Sequence, residues 1–283
     1  MEAALYVVAT PLGNLRDITL RALDVLAAVD VVATEDTRRT RQLLAHYTIR
    51  ARLIPLHEHN EQQAAGSIIG LLASGNPTAY VTDAGTPAIS DPGARLVARV
   101  RDAGLPVVPI PGPSALTAAL SASGISAPHF LFYGFLPSKP AARRLALSTL
   151  SSLPHTLVLF EAPHRLLQTL ADMERALGSD RTIVIARELT KIFETFHRCK
   201  LAHARAWLVD DPNRLRGEFV LIVEGGAAAP AQSEAQSQRI LEILLSELPL
   251  KQAVHLAAAI SGAKKNALYQ RALDWKKRAV SRS

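Results

Sequence analysis

The chain has 283 residues, 48% of them hydrophobic, a length and composition that suit two domains with real cores. No apolar run approaches the roughly 18 residues of a membrane span, and Met1–Val8 lacks the basic-then-apolar order of a signal peptide, so a cytoplasmic protein is expected. A net charge of +7 points to an anionic partner, while the lone Cys199 excludes an internal disulfide and fits a reducing compartment.

Leu5–Ala9 reads as a strand and residues 10–15 as the Pro/Gly loop leaving it. A helix follows over about 19–29, then a short strand at 31–33 that ends in Glu35-Asp36. Arg38, Arg39 and Arg41 fall on the first turns of the next amphipathic helix, which runs to Tyr47. Residues 52–55 form a third strand, and Asn60 is placed to cap a helix over 61–72. His57-Glu58-His59 alternates two imidazoles with an acid, but no third and fourth ligand stand at metal-site spacing, so no metal is expected.

Thr78–Val81 is a buried strand by composition, and the loop after it, residues 82–93, is the most ligand-like stretch of the chain. Gly85 there permits close approach to the backbone. Asp91 followed by Pro92 has the pattern of an N-cap with proline at the first helical position, for a helix over 94–101. Another strand, 107–110, leads to Pro111–Ala115, with Ser114 as the N-cap of a helix to about 122. Ser126-Ala127-Pro128 breaks the pattern and suggests a boundary, giving an N-terminal α/β domain over 1–125.

A second α/β domain, 126–226, is expected to hold strands near 130–133, 156–160, 183–186, 193–199 and 219–223, with a helix from about 166 to Leu177. Some of their connections are too short for helical crossovers, which implies a sheet of mixed direction. Residues 225–230 read as a linker. From 231 to 283 the chain carries nine Lys/Arg against four acids, a net +5 that leaves only +2 for the rest. Three short helices, about 237–248, 250–260 and 264–277, then suggest a small basic nucleic-acid module of helix-turn-helix type, with Lys264 and Lys265 facing RNA. Trp207 and Trp275 read as packing residues.

Three Gly/Pro loops at successive strand ends suggest one crevice. No Gly-Lys dipeptide and no Gly-x-Gly-x-x-Gly run occurs, which disfavours a phosphate cradle and an ordinary dinucleotide fold. A ligand held by main-chain groups, such as an adenosine-containing molecule, suits such loops better.

Six ordered segments, Pro11–Leu15, Glu35–Arg38, Asp83–Gly93, Ile110–Ala115, Gly134–Pro137 and Glu161–Arg165, closely resemble the bacterial ribosomal RNA small subunit methyltransferase I family. The resemblance spans about residues 4–224 and extends to the basic tail. It implies the tetrapyrrole-methylase fold, two α/β domains with S-adenosylmethionine in the cleft between them, a homodimer, and 2'-O-methylation of a decoding-centre cytidine in small-subunit ribosomal RNA, within an assembled or nearly assembled 30S subunit. It carries cofactor contact onto Pro11, Gly13, Asp83, Ala84, Gly85, Thr86, Pro87, Ile89, Ser114 and Ala115, and onto Phe160, Glu161, Glu218 and Val220 of the second domain. Tetrapyrrole methylases have an acidic residue at the position of Thr86, so Asp83 is expected to do that polar work here.

A sugar hydroxyl is a poor acid and benefits from a base. Glu35, Asp36 and Glu161 are the candidates, although each position also suits a helix N-terminal charge or an ion pair. Arg38, Arg39, Arg41, Asn60 and Arg165 are expected on RNA. Two alternatives stay open: a methylase of tetrapyrrole-like small molecules, against which the basic tail argues, and a non-catalytic RNA-binding or assembly protein.

Overall fold

The computed structural model describes residues 1–57, 60–226, 230–261 and 263–280, so Glu58 and His59 of the His-Glu-His stretch lie outside the described residues. The chain divides into two compact units, one of residues 1–151 with 155–225, the other of residues 226–283 with 152–154. The first unit contains two five-stranded sheets.

The first sheet is all-parallel, built from β1 (Leu5–Val8), β2 (Val31–Thr34), β3 (Arg52–Pro55), β4 (Thr78–Val81) and β5 (Val107–Ile110) in the order β3-β2-β4-β1-β5. Its inner strands β2 and β4 are buried at every position, as expected of strands covered by helices on both faces. Helices α1 (Leu20–Ala28) and α2 (Thr37–His46) bury Val25, Leu26 and Leu44 against one face. Helices α3 (Glu61–Ala73) and α4 (Ala94–Asp102) bury Ile68, Leu72, Leu96 and Val100 against the other. β4, β1 and β5 are neighbours in the sheet, so the three Gly/Pro loops leave adjacent carboxyl ends, where open α/β sheets bind ligands.

Helix α4 departs from expectation. It begins after Gly93, two residues later than an Asp91 cap requires, and no side chain caps it from within its own loop. The cap comes instead from α3. One oxygen of the buried Glu61 carboxylate accepts from the amides of Gly93 and Leu96, both at 3.1 Å. A side chain is excluded at position 93, because a Cβ there would stand 2.3 Å from the Tyr80 ring. Glu61→Ala orphans two buried amides and is expected to cost about 2 kcal/mol. Chemical denaturation, with loss of hydrogen-exchange protection at Leu96, measures it. Asn60 and Ser114 likewise occupy N-cap positions without capping: Asn60 instead accepts from the His57 amide and donates to the Pro55 carbonyl.

After α5 (Ala115–Ala122), the second sheet takes β6 (Phe130–Phe135), β7 (Thr156–Glu161), β8 (Thr182–Arg187), β9 (Thr195–Lys200) and β10 (Phe219–Val223) in the order β6-β7-β10-β8-β9. β6 and β7 run parallel and the other pairs antiparallel, a mixed sheet. β9 starts at Thr195, two residues later than its apolar run suggests. Between the strands lie α6 (Pro140–Leu150), α7 (Leu166–Leu177) and α8 (Leu201–Asp210), of which α6 and α8 have too weak an apolar periodicity to be read from sequence. Trp207 stacks face to face on His197, with Arg214 above its ring.

The second unit is helical: α9 (Pro230–Glu247), α10 (Leu250–Ser261) and α11 (Lys265–Val280) pack around Leu241, Val254, Ala257 and Leu268. α9 starts seven residues earlier than expected. Lys264 and Lys265 are exposed at the start of α11, and Trp275 is 37% exposed. No helix among the described residues is long and apolar enough to cross a membrane.

Candidate active site

A cavity of about 340 Å³ opens where the carboxyl ends of β4, β1 and β5 face the second sheet. Its floor is made by the three loops, and hydrogen bonds tie them into one piece. Thr10 and Gly85 exchange both main-chain hydrogen bonds at 2.9 Å, and the Thr86 hydroxyl donates to the Pro113 carbonyl at 3.0 Å. Leu12 and Ile89 add apolar surface on this side. Opposite stand Phe135 and Phe160, whose rings meet edge to face at 5.7 Å, together with Leu189 and Val220.

The lining includes Asp83, Ala84, Gly85, Thr86, Ile89, Ser114, Ala115, Phe160, Glu161, Glu218 and Val220, all assigned to the site from the resemblance. Pro11 and Pro87 are buried outside that lining, and Gly13 lies against the aliphatic stem of Lys191 instead. Leu12, Phe135, Leu189 and Ser90 also belong to the lining without having been singled out for it, and Asp91 carried a capping pattern that concealed its position.

The three candidate bases have different surroundings. Asp36 caps α2: its carboxylate accepts from the Arg38 amide at 2.8 Å and pairs with the Arg38 side chain, which holds it below the ordinary aspartate range. Glu161 is shut in, its side chain 1% exposed, accepting from the Thr169 hydroxyl and the Ala162 amide and pairing with Arg165 at 3.2 Å. Burial, and then the charge of Asp83, raise Glu35 above the ordinary glutamate range. Asp91, outside the expected set, is pushed up to about 6 by burial and then by the charges of Glu35 and Asp83.

The arginines part company as well. Arg39 lines the cavity and pairs with Asp83 at 3.3 Å. Arg38 and Arg41 are exposed on α2. Arg165 is only 17% exposed and gives its guanidinium to Glu161 and to the Leu136 carbonyl, so it braces the cavity wall and is not presented to a phosphate. Asn60 spends its side chain closing its own loop.

Residues 4–205 match the family model of tetrapyrrole (corrin/porphyrin) methylases, and residues 231–276 match that of the RsmI C-terminal HTH domain. Proteins named ribosomal RNA small subunit methyltransferase I are 51% identical in Escherichia coli O157:H7 and 49% identical in Pseudomonas aeruginosa. The first alignment covers 96% of each chain, the second 95% of this chain and 96% of the relative. Among solved structures, a uroporphyrin-III C-methyltransferase of Thermus thermophilus complexed with S-adenyl homocysteine superposes with a TM-score of 0.56 at 18% identity, covering 78% of this chain and 97% of that one. Cobalt precorrin-4 methyltransferase superposes at 0.60 with 17% identity, over 78% of this chain and 95% of that one. The family match over residues 4–205 and alignment over nearly the full length place this chain in the tetrapyrrole methylase family and, within it, in the ribosomal RNA small subunit methyltransferase I family.

Proposed function

We propose that the protein is an S-adenosylmethionine-dependent methyltransferase of small-subunit ribosomal RNA, and that it methylates the 2'-hydroxyl of a decoding-centre cytidine. The observation that carries this is the pairing of one apolar, acid-lined cleft with near-full-length similarity to proteins of that name. The cleft fits the donor chemically. Leu12, Ile89, Phe160 and Val220 offer apolar walls for a planar base, and the carboxylates of Asp83 and Asp91 suit a cationic ligand. When bound, that ligand supplies a methyl group on a sulfonium, already a good leaving group.

What remains for the protein is alignment, exclusion of water and removal of a proton. The tied loops supply the first, since their shared hydrogen bonds leave little freedom to the groups they present. Exposed Arg38 and Arg41 on α2, and Lys264 and Lys265 at the start of α11, are the cations we assign to RNA phosphates. A homodimer acting on an assembled or nearly assembled 30S subunit completes the reading.

Unmodified 30S subunits incubated with labelled donor are expected to yield 2'-O-methylcytidine on nucleoside mass spectrometry. Label on a base atom, or none in ribosomal RNA, would overturn the reading. Removing residues 231–283 is expected to leave donor binding by calorimetry intact. Methylation at moderate salt should fall at least about tenfold as phosphate contacts are lost. Unaltered methylation would strip the basic unit of any RNA role.

A further inference from the structure

The pairing of β6 with β7 skips one residue. Phe132 stands opposite Val158 and Gly134 opposite Leu159, which leaves Tyr133 as a bulge. In a regular strand, residues three apart face opposite sides of the sheet. The bulge returns Phe135 to the side of Phe132, and both rings meet Phe160 edge to face, with centroids 5.7 and 4.9 Å away. Phe132 and Phe160 are partly buried on the core around Val158 and Ile222. Phe135 instead lines the cavity and is 50% exposed. The extra residue thus turns into the cleft a ring that a regular strand would have turned away from it, a use to which bulges beside active sites are often put.

The strand end that carries this ring is held from both sides. Gly134 has φ of +75° and lies so close to the loop after β4 that a Cβ on it would stand 2.7 Å from Ser90 Oγ. The Leu136 carbonyl accepts from Arg165 at 2.6 Å, and Arg165 is itself paired with Glu161. Phe135 is therefore an aromatic face fixed at the mouth of the cavity, with half of its surface open.

Resting on the function proposed above, we infer that the base of the target nucleotide stacks on Phe135. The RNA then enters with that base turned out of its own stack, and its ribose reaches the donor in the same cavity. Unstacked bases in single-stranded RNA are held in this way by aromatic side chains, because every base offers a π face. Leu12, Ile89, Phe160 and Val220 remain for the planar base of the donor. The position of the ring favours a nucleotide over a second copy of the chain. A stable protein interface buries about 800 Å² on each partner, and one ring in a cavity lining offers little of that.

Single-turnover methylation of 30S subunits at saturating donor tests this, with every variant first shown to melt cooperatively. Phe135→Ala should lower the second-order rate constant for subunits by about 10- to 100-fold, the loss typical of a stacked base. Phe135→Tyr and Phe135→Trp keep a π face and should stay within about fivefold of wild type. Phe135→Leu refills the apolar space without a π face and should lose most of what alanine loses. Calorimetric donor Kd should stay within about threefold throughout. Subunits reconstituted with an abasic ribose at the methylated position close a double-mutant cycle. On them wild-type protein should fall to near the rate of Phe135→Ala on intact subunits, and Phe135→Ala should lose no more than about threefold further.

The inference is overturned if Phe135→Ala stays within about threefold of wild type on intact subunits, if leucine restores the rate, or if the losses from ring and base multiply. Donor affinity that falls in step with rate would give the ring to the donor, and dissociation of the variant in sedimentation would give it to a subunit contact; either result overturns it as well. Wild-type protein that makes no 2'-O-methylcytidine would instead sink the function on which it rests.

Discussion

Asp172→Ala is expected to lower stability by about 3–5 kcal/mol, one of the two largest effects a single substitution should have on this protein. Asp172 on α7 accepts from Arg143 Nε on α6 at 2.8 Å, and the two side chains are 6% and 2% exposed. Removing the carboxylate leaves a guanidinium buried between two helices with one weak remaining acceptor, the Ser138 carbonyl at 3.5 Å. The cost is that of an unpaired buried charge and not the net worth of the pair, so the double variant Arg143→Met with Asp172→Leu should lose far less. Urea denaturation of both variants decides it: a single variant within about 1 kcal/mol of wild type would mean that water reaches the guanidinium. The consequence reaches the active site, because α7 also carries Thr169 one turn earlier, whose hydroxyl holds Glu161 in the cavity wall. Loosening α6 from α7 should therefore weaken donor binding as well as the fold.

That pair also marks the limit of what a sequence shows. The strands of the first sheet were legible because buried parallel strands are short, apolar and β-branched, and their Gly/Pro loops follow at once. β4, β1 and β5 being neighbours turned those loops into one cleft, so most of its lining consists of residues that the resemblance had pointed to. α6 was not legible, since its core-facing position 143 is an arginine, which interrupts the apolar stripe that would have signalled a helix. Asp91-Pro92 misled for a different reason. A local N-cap pattern is visible in sequence, but the Glu61 carboxylate that replaces it comes from 32 residues earlier and only the fold brings it there. Arg165 shows the same limit in charge: an arginine near a site looks like a phosphate ligand until its partner, Glu161, is seen to be buried beside it.

Gly85→Val is expected to weaken binding of S-adenosylmethionine by about 100-fold or more, which corresponds to roughly 2.7 kcal/mol. Gly85 has φ of +78°, a region strained for any β-branched residue. A Cβ at this position would meet Leu12 Cδ2 at 3.2 Å, on the loop that Gly85 itself ties down through Thr10. The protein can relieve the contact only by moving one loop off the other or by turning the peptide, and either breaks the paired Thr10–Gly85 hydrogen bonds that shape the cavity floor. Both sheets lie outside the affected loops, so the fold should survive with a loss of about 1–3 kcal/mol. Gly85→Ala, with less strain and no branched methyls, should fall between wild type and valine in both affinity and stability. Calorimetric titration with the donor, beside a thermal melt of each variant, separates the two effects. Affinity unchanged in a folded Gly85→Val protein would show that the donor does not rest on these loops. The cleft would then have to bind it from the Phe160 and Val220 side alone.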